Sequence, residues 1–294
     1  MHRDERVLVL GGTGFLGSHF LDTLGRRAIA HTTKEGYSGK TSNFRSKMFH
    51  KNQIDEIDTF LRQQNCRTII NCIALADIEK CELNPDMAYW VNSELPGILS
   101  TISKSIDSKF VHISTDAVFD GTSSFRAEQD KPSPLSVYGK SKREGEEQVL
   151  FNNPESIVAR VNFFGLSNNK ASLFNFFYDS LVSDKIVKGY TDVFFTPLYA
   201  GHLVNVIFEL LDLKASGLLH VVGDERISKF EFGVRIAETF NLSKTYLRQA
   251  KIDGAPEANI RSLDLSLSND KIKSLGIILP SVQDGLSILK KNMT

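Results

Sequence analysis

The chain alternates between short apolar runs and longer stretches of helical period. "RVLVL" (Arg6–Leu10) is apolar over its last four residues and stops at glycines, as a strand covered on both faces does. "FLGSHFLDTLG" (Phe15–Gly25) repeats apolar residues at helical spacing and ends on Gly25. "AIAHTT" (Ala28–Thr33) predicts a second strand, "IDEIDTFLRQQ" (Ile54–Gln64) an amphipathic helix, "RTIINCIA" (Arg67–Ala74) a third strand, and Pro85–Ser105 a long helix. "FVHIST" (Phe110–Thr115) is a fourth strand, a helix follows near Val137, and "SIVARV" (Ser156–Val161) is a fifth. This alternation predicts an α/β fold built on a doubly wound parallel sheet.

After Gly165 the alternation loosens. "SLFNFFYDSLV", "TPLYAGHLVNVIFELLDL", "SKFEFGVRIAETF" and "LPSVQDGLSILKK" have helical period, and "SGLLHVVG" reads as a strand. Ser228, with Glu231 three residues on, predicts a capped helix start. The expected division is residues 1–165 plus about 196–225 as the domain built on the sheet, and about 166–195 plus 226–294 as a smaller, partly interwoven lobe.

Composition narrows the function more by exclusion than by assignment. Lys plus Arg and Asp plus Glu number 35 each, so the sequence carries no charge excess for nucleic acid or an anionic membrane. No apolar run approaches the roughly 18–20 residues that span a bilayer. The first strand begins too early to leave room for a signal peptide, and Cys66, Cys72 and Cys81 lack metal-ligand spacing. The expectation is a cytoplasmic protein with reduced, buried thiols and no metal.

The chemistry begins at "VLVLGGTGFLG", which places Gly11, Gly14 and Gly17 between the first strand and the first helix. A tight turn, a close backbone approach to a pyrophosphate and close packing of helix on strand each ask for a glycine, and the helix N-terminus then faces the anion. A glycine-rich turn without a ligand would share the pattern. In "VYGKSKREGEE", Tyr138 stands four residues before Lys142, so a phenol and an ammonium share one helix face. An exposed surface pair is the bland alternative. Next to an ammonium, a phenol loses its proton more readily and becomes useful as an acid near neutral pH.

The G-x-x-G-x-x-G spacing, with "YGKSK" downstream, resembles the extended short-chain dehydrogenase/reductase family. "NCIALADIEKCE", "WVNSELP", "HISTDAVFDG", "FTPLYAGHLV" and "RSLDLSLSNDKIKSLGI" extend the resemblance to its dTDP-4-dehydrorhamnose reductase-like members over nearly the whole chain. The resemblance implies a reductase of a nucleotide-linked 4-keto-6-deoxysugar, feeding polysaccharide or glycoconjugate synthesis. It uses NADP, with NAD admitted, and a homodimer is compatible with it. By resemblance, Thr115, Tyr138 and Lys142 are catalytic. The dinucleotide would be held by Gly11, Thr13, Gly14, Phe15, Leu16, Gly17, Thr33, Lys34, Cys72, Ala74 and Asn92, together with Tyr138 and Lys142. Val118, Phe119 and Phe163 would line the sugar. Strand alternation turns Ser114 to the opposite face from Thr115. Thr32, Thr33 and Lys34, at the end of the second strand, favour a ribose phosphate, while Glu35 favours a free 2′-hydroxyl.

Two positions depart from that subgroup. Ala117 stands where Tyr is common, and Phe163 where Trp is common. Both leave the identity of the sugar open. A nucleotide-sugar epimerase or dehydratase, and a non-catalytic regulatory subunit of the methionine adenosyltransferase type, remain as alternatives.

Overall fold

The structure is a computed structural model and describes residues 5–33, 44–167, 172–252 and 262–293. The chain divides into two compact units, residues 1–115, 136–160 and 208–219 in one and residues 116–135, 161–207 and 220–294 in the other. This differs from the sequence division at 116–135, 161–165, 196–207 and 220–225, which belong to the second unit.

The first unit is built on a seven-stranded sheet. Its strands are β1 (Val7–Leu10), β2 (Ala28–Thr32), β3 (Phe44–Ser46), β4 (Thr68–Asn71), β5 (Lys109–Thr115), β6 (Ile157–Val161) and a last strand, Gly217–Val221. From one edge the order runs β3, β2, β1, β4, β5, β6, then Gly217–Val221. The pairs β2–β3, β1–β2, β1–β4 and β4–β5 are parallel. This is the 3-2-1-4-5-6 order of a Rossmann sheet, and it reverses direction beside β1, where such sheets hold ligands at their C-terminal ends. The predicted strands all form, several a residue or two shorter than the apolar runs, and β3 is added at the edge.

Helices follow the strands. They are α1 (Phe15–Leu24), α2 (Ile54–Gln64), α3 (Ile78–Leu83), α4 (Pro85–Tyr89), α5 (Leu95–Ser105) and α6 (Val137–Asn152). Leu8, Leu10, Ile69, Phe110 and Val158 from the strands pack with Ile57, Leu61, Leu95, Leu99 and Val149 from the helices. Each such fully buried side chain contributes about 1.5–3 kcal/mol. The long helix expected over Pro85–Ser105 forms without a break, as α4 and α5 joined by a wide, π-helical turn, Trp90–Glu94. The extra residue in that turn leaves the helical ladder locally open, a device often found at functional sites.

The second unit has helices α7 (Leu173–Val182) and α9 (Lys229–Phe240), short strands such as Phe163–Phe164 and Phe194–Phe195, and at its C-terminal end α10 (Asp270–Ser274) and α11 (Val282–Met293). Between α7 and α9 in sequence lies α8 (Ala200–Asp212), whose residues divide between the two units. The core of the second unit is aromatic: Phe164, Phe174, Phe177, Phe195 and Phe232 are buried together. Ser228 caps α9 in the expected manner, its hydroxyl accepting from Glu231 N while the Glu231 carboxylate accepts from Ser228 N. Among the described residues, no helix is long and apolar enough to cross a membrane, and no group of three or more His, Cys, Asp or Glu could hold a metal ion.

Candidate active site

The glycine loop joins β1 to α1. Gly11 has φ +74°, where side chains are disfavoured, and its Cα lies against the backbone of Cys72 at the end of β4. A Cβ on Gly17 would overlap the carbonyl oxygen of Gly11, so glycine at this position lets α1 close on the strand. Gly14 is different. It is exposed, has φ −74°, and caps α1 without any side-chain hydrogen bond. The loop therefore presents a helix N-terminus with bare backbone, the arrangement a pyrophosphate needs. The residues fit a dinucleotide.

Three contacts to β2 hold this loop in place, the first being the Gly12 N–H on His31 O at 2.9 Å. Thr13 Oγ1 lies 3.2 Å from Thr32 Oγ1. The Gly11 N–H points at His31 Nδ1 at 3.5 Å, while His31 Nε2 is 2.7 Å from Lys47 O. A neutral imidazole donating to that carbonyl and accepting from Gly11 satisfies both. Burial lowers the His31 pKa to about 4, in keeping with the neutral ring. Thr33 is exposed just beyond β2. Lys34 and Glu35, which would read the ribose, lie outside the described residues.

At the neighbouring strand ends, Thr115 closes β5 and is buried. Helix α6 begins with two caps: Ser136 Oγ accepts from Gly139 N, and Glu82 Oε1 accepts from Val137 N at 2.7 Å. Tyr138 is half-buried in the first turn of α6. One turn later Lys142 is almost fully buried, and its Nζ donates to Ile113 O at 2.6 Å and lies 3.1 Å from His112 Nε2. Its partners thus come from the strand that ends at Thr115. Burial lowers the Lys142 pKa to about 8, against the opposing pull of Glu146. Ser114 turns to Glu146, donating to Oε1 at 2.6 Å.

Asn92, assigned by resemblance to the cofactor, is engaged within the protein. It is wholly buried in the π-helical turn. Its Oδ1 accepts from Leu75 N, and its two amide hydrogens go to Leu75 O and Ser141 Oγ. Its side chain clasps the loop after β4 to α6 and has no amide hydrogen left for a ligand. The carbonyl of Asn92 meets α6 at Gly145, where any Cβ would overlap it. On the clasped loop, Cys72 N donates to Leu10 O at 3.0 Å and Ala74 is exposed.

The three residues expected to line the sugar lie in the second unit. Val118 and Phe119 are fully buried with Val222 and Leu267, so their side chains serve that unit's core and do not present a surface to a ligand. Phe163 is half-buried and opens the strand that pairs with Leu198–Tyr199. Asp116 accepts from Asn162 Nδ2, fixing the segment after β5. Sequence patterning did not single out Asn71 or His112 for the site. They belong to it only because β4 and β5 pair with Asn71 opposite His112.

Residues 5–294 match the family model described as "RmlD substrate binding domain". The chain belongs to that family. Among relatives, it is 32% identical to a "Probable low-salt glycan biosynthesis reductase Agl14" of Haloferax volcanii, covering 97% of each chain. It is 30% identical to "Methionine adenosyltransferase 2 subunit beta" of Mus musculus, covering 93% of this chain and 83% of that one. In structure it resembles dTDP-4-dehydrorhamnose reductase from Bacillus anthracis, solved in complex with NADP, with a TM-score of 0.85, 22% identity, and 99% and 100% of the two chains covered.

Proposed function

We propose that this RmlD-family chain is an NADPH-dependent reductase of a nucleotide-linked 4-keto-6-deoxysugar, with NADH as a weaker alternative. The observation that carries the reading is the buried amine of Lys142, one helical turn after Tyr138 and bonded to the strand that ends at Thr115. A surface pair would not bury a lysine, because removing an ammonium from water is costly unless its position serves a purpose. The reductase name of the Haloferax volcanii relative and the NADP in the Bacillus anthracis structure support the same reading.

The bound dinucleotide supplies a hydride to the carbonyl carbon. This chain supplies the proton. Tyr138 gives its phenolic hydrogen to the carbonyl oxygen, and Thr115 holds that oxygen by its hydroxyl. Lys142, as an ammonium, favours the phenolate left on Tyr138. The Gly11–Gly17 loop would hold the pyrophosphate, and Lys34 would pair with a ribose phosphate.

Loss of nicotinamide absorbance over a panel of nucleotide-linked 4-keto-6-deoxysugars tests this. Turnover is expected with at least one of them, with kcat/KM higher for NADPH than for NADH. A purified protein that holds oxidised cofactor and turns over none of them would point to an epimerase or dehydratase. Similarity to the methionine adenosyltransferase subunit favours a second reading, a regulatory subunit that keeps the cofactor and performs no reduction. Cofactor binding without turnover, combined with a change in methionine adenosyltransferase activity on mixing, would establish that one instead.

A further inference from the structure

Three buried polar side chains lie in series behind the acid–base pair: Asn71 on β4, His112 on β5 and Lys142 on α6. Donors and acceptors along this series can be assigned from one end. The Ile73 N–H can only donate, and it meets Asn71 Oδ1 at 3.1 Å. The other end of that amide is therefore Nδ2, 3.1 Å from His112 Nδ1. An amide nitrogen only donates, so Nδ1 is bare and a neutral ring carries its hydrogen on Nε2. Burial, and then the charge of Lys142, push the His112 pKa well below its ordinary value, so the ring holds a single proton.

That hydrogen points at Lys142 Nζ, 3.1 Å away. A neutral amine can accept it on its lone pair while donating to Ile113 O. An ammonium has no lone pair. It would set N–H against N–H, or drive the His112 hydrogen to Nδ1, where it meets the Asn71 amide hydrogens. Either way one buried hydrogen bond is lost.

We propose that Asn71 and His112 form a hydrogen-bond chain of fixed direction that ends on Lys142 and disfavours its ammonium form. His112 is then a positioning residue, and the inference deepens the assignment of Tyr138 and Lys142 as the acid–base pair. The other groups facing Lys142 are Glu146 and Tyr138 on α6, and Cys72 at the end of β4. Glu146 favours the ammonium; the Cys72 thiol is pushed up to about 12 by burial and stays neutral. Burial and the Asn71–His112 chain oppose Glu146. The consequence is a lysine that releases its proton readily. When Lys142 loses its proton, the His112 Nε2–H occupies the new lone pair.

The test uses the unmodified, cofactor-free chain first. Nitrogen-15 NMR of the His112 ring is expected to find Nε2 protonated and Nδ1 bare at a pH above the Lys142 transition, where the amine is neutral; a hydrogen on Nδ1 there overturns the proposal. The ionisation of Lys142, followed by nitrogen-15 NMR of Nζ, is then compared in the parent, His112→Gln and His112→Phe. The Gln amide can turn its oxygen to the ammonium, so its Lys142 should hold the proton about tenfold more tightly, one pH unit higher. Phe removes an opposing donor and should not lower the value. A fall in the Phe variant, or no rise in the Gln variant, would mean that His112 accepts from the ammonium, and the proposal fails. No cofactor or sugar is present in these measurements. Failure of the sugar panel would therefore sink the reductase reading and leave this result standing.

Discussion

Arg160 and Glu146 face each other with almost no solvent exposure, Nε on Oε1 at 2.9 Å and an Nη on Oε2 at 2.7 Å. The pair locks α6 to β6, and Ser114 adds a bond from β5. A buried, paired charge leaves an uncompensated one when its partner is removed. Glu146→Gln should therefore cost about 3–5 kcal/mol in chemical denaturation. It should also lower the pKa of Lys142, because Glu146 favours the lysine's charge. Replacing both Glu146 and Arg160 by apolar residues of similar volume should recover most of the stability but not the Lys142 ionisation. If Glu146→Gln unfolds at the parent's midpoint, the pair is not what holds the helix.

Tyr138→Phe removes one hydroxyl and keeps the ring. Folding should be unchanged and dinucleotide binding retained, while turnover on the accepted sugar falls by roughly 10²–10⁴. Turnover within a few-fold of the parent would show that another group delivers the proton.

The glycines of the loop separate folding from binding. At Gly14 a Cβ meets only the Gly11 carbonyl oxygen, at 3.2 Å, so Gly14→Val should fold with a loss of no more than about 1 kcal/mol. It should nonetheless lose dinucleotide affinity by calorimetric titration, because the branch stands over the bare helix end. Gly17→Ala should do the reverse and lower the unfolding midpoint first, since the methyl is driven into the Gly11 carbonyl. Overpacking of this kind costs about 1–3 kcal/mol. Unchanged affinity in Gly14→Val would move the pyrophosphate elsewhere.

The folded chain holds Lys142 at about 8, below its ordinary 10.5. Between those two values the unfolded chain binds the extra proton, so this residue makes stability rise with pH across that window. Below about pH 8 it costs the fold roughly 3 kcal/mol. Lys142→Met should therefore be more stable than the parent near neutral pH, with the advantage shrinking as pH climbs from 8 towards 10.5. Denaturation midpoints of both proteins over a pH series decide it, and a constant difference would mean that Lys142 titrates normally.

Much of this was legible in the linear sequence, for local reasons. The glycine loop, the Ser228–Glu231 cap and the Tyr138–Lys142 spacing each lie within a few residues, where turn and helix geometry fix who meets whom. What was missed depends on pairing between distant segments. His112 reads as one more strand residue until the β4–β5 register sets it against Asn71. Asn92 resembles a ligand contact until Leu75 and Ser141 take its amide hydrogens. Val118 and Phe119 follow β5 in sequence, yet their apolar side chains were drawn into a core completed by Val222 and Leu267, about a hundred and more residues later.

The Asn92 carbonyl seated at Gly145 makes that glycine a notch cut for one tooth. A helix can normally creep along its axis by small fractions of its 1.5 Å rise per residue as side chains repack. Here the notch admits the tooth at one residue only, so α6 is indexed against the π-helical turn. Tyr138 lies two turns and Lys142 one turn towards the N-terminal end of that index point. A methyl group at Gly145 would thus act as a shim, displacing Tyr138 and Lys142 together while touching neither.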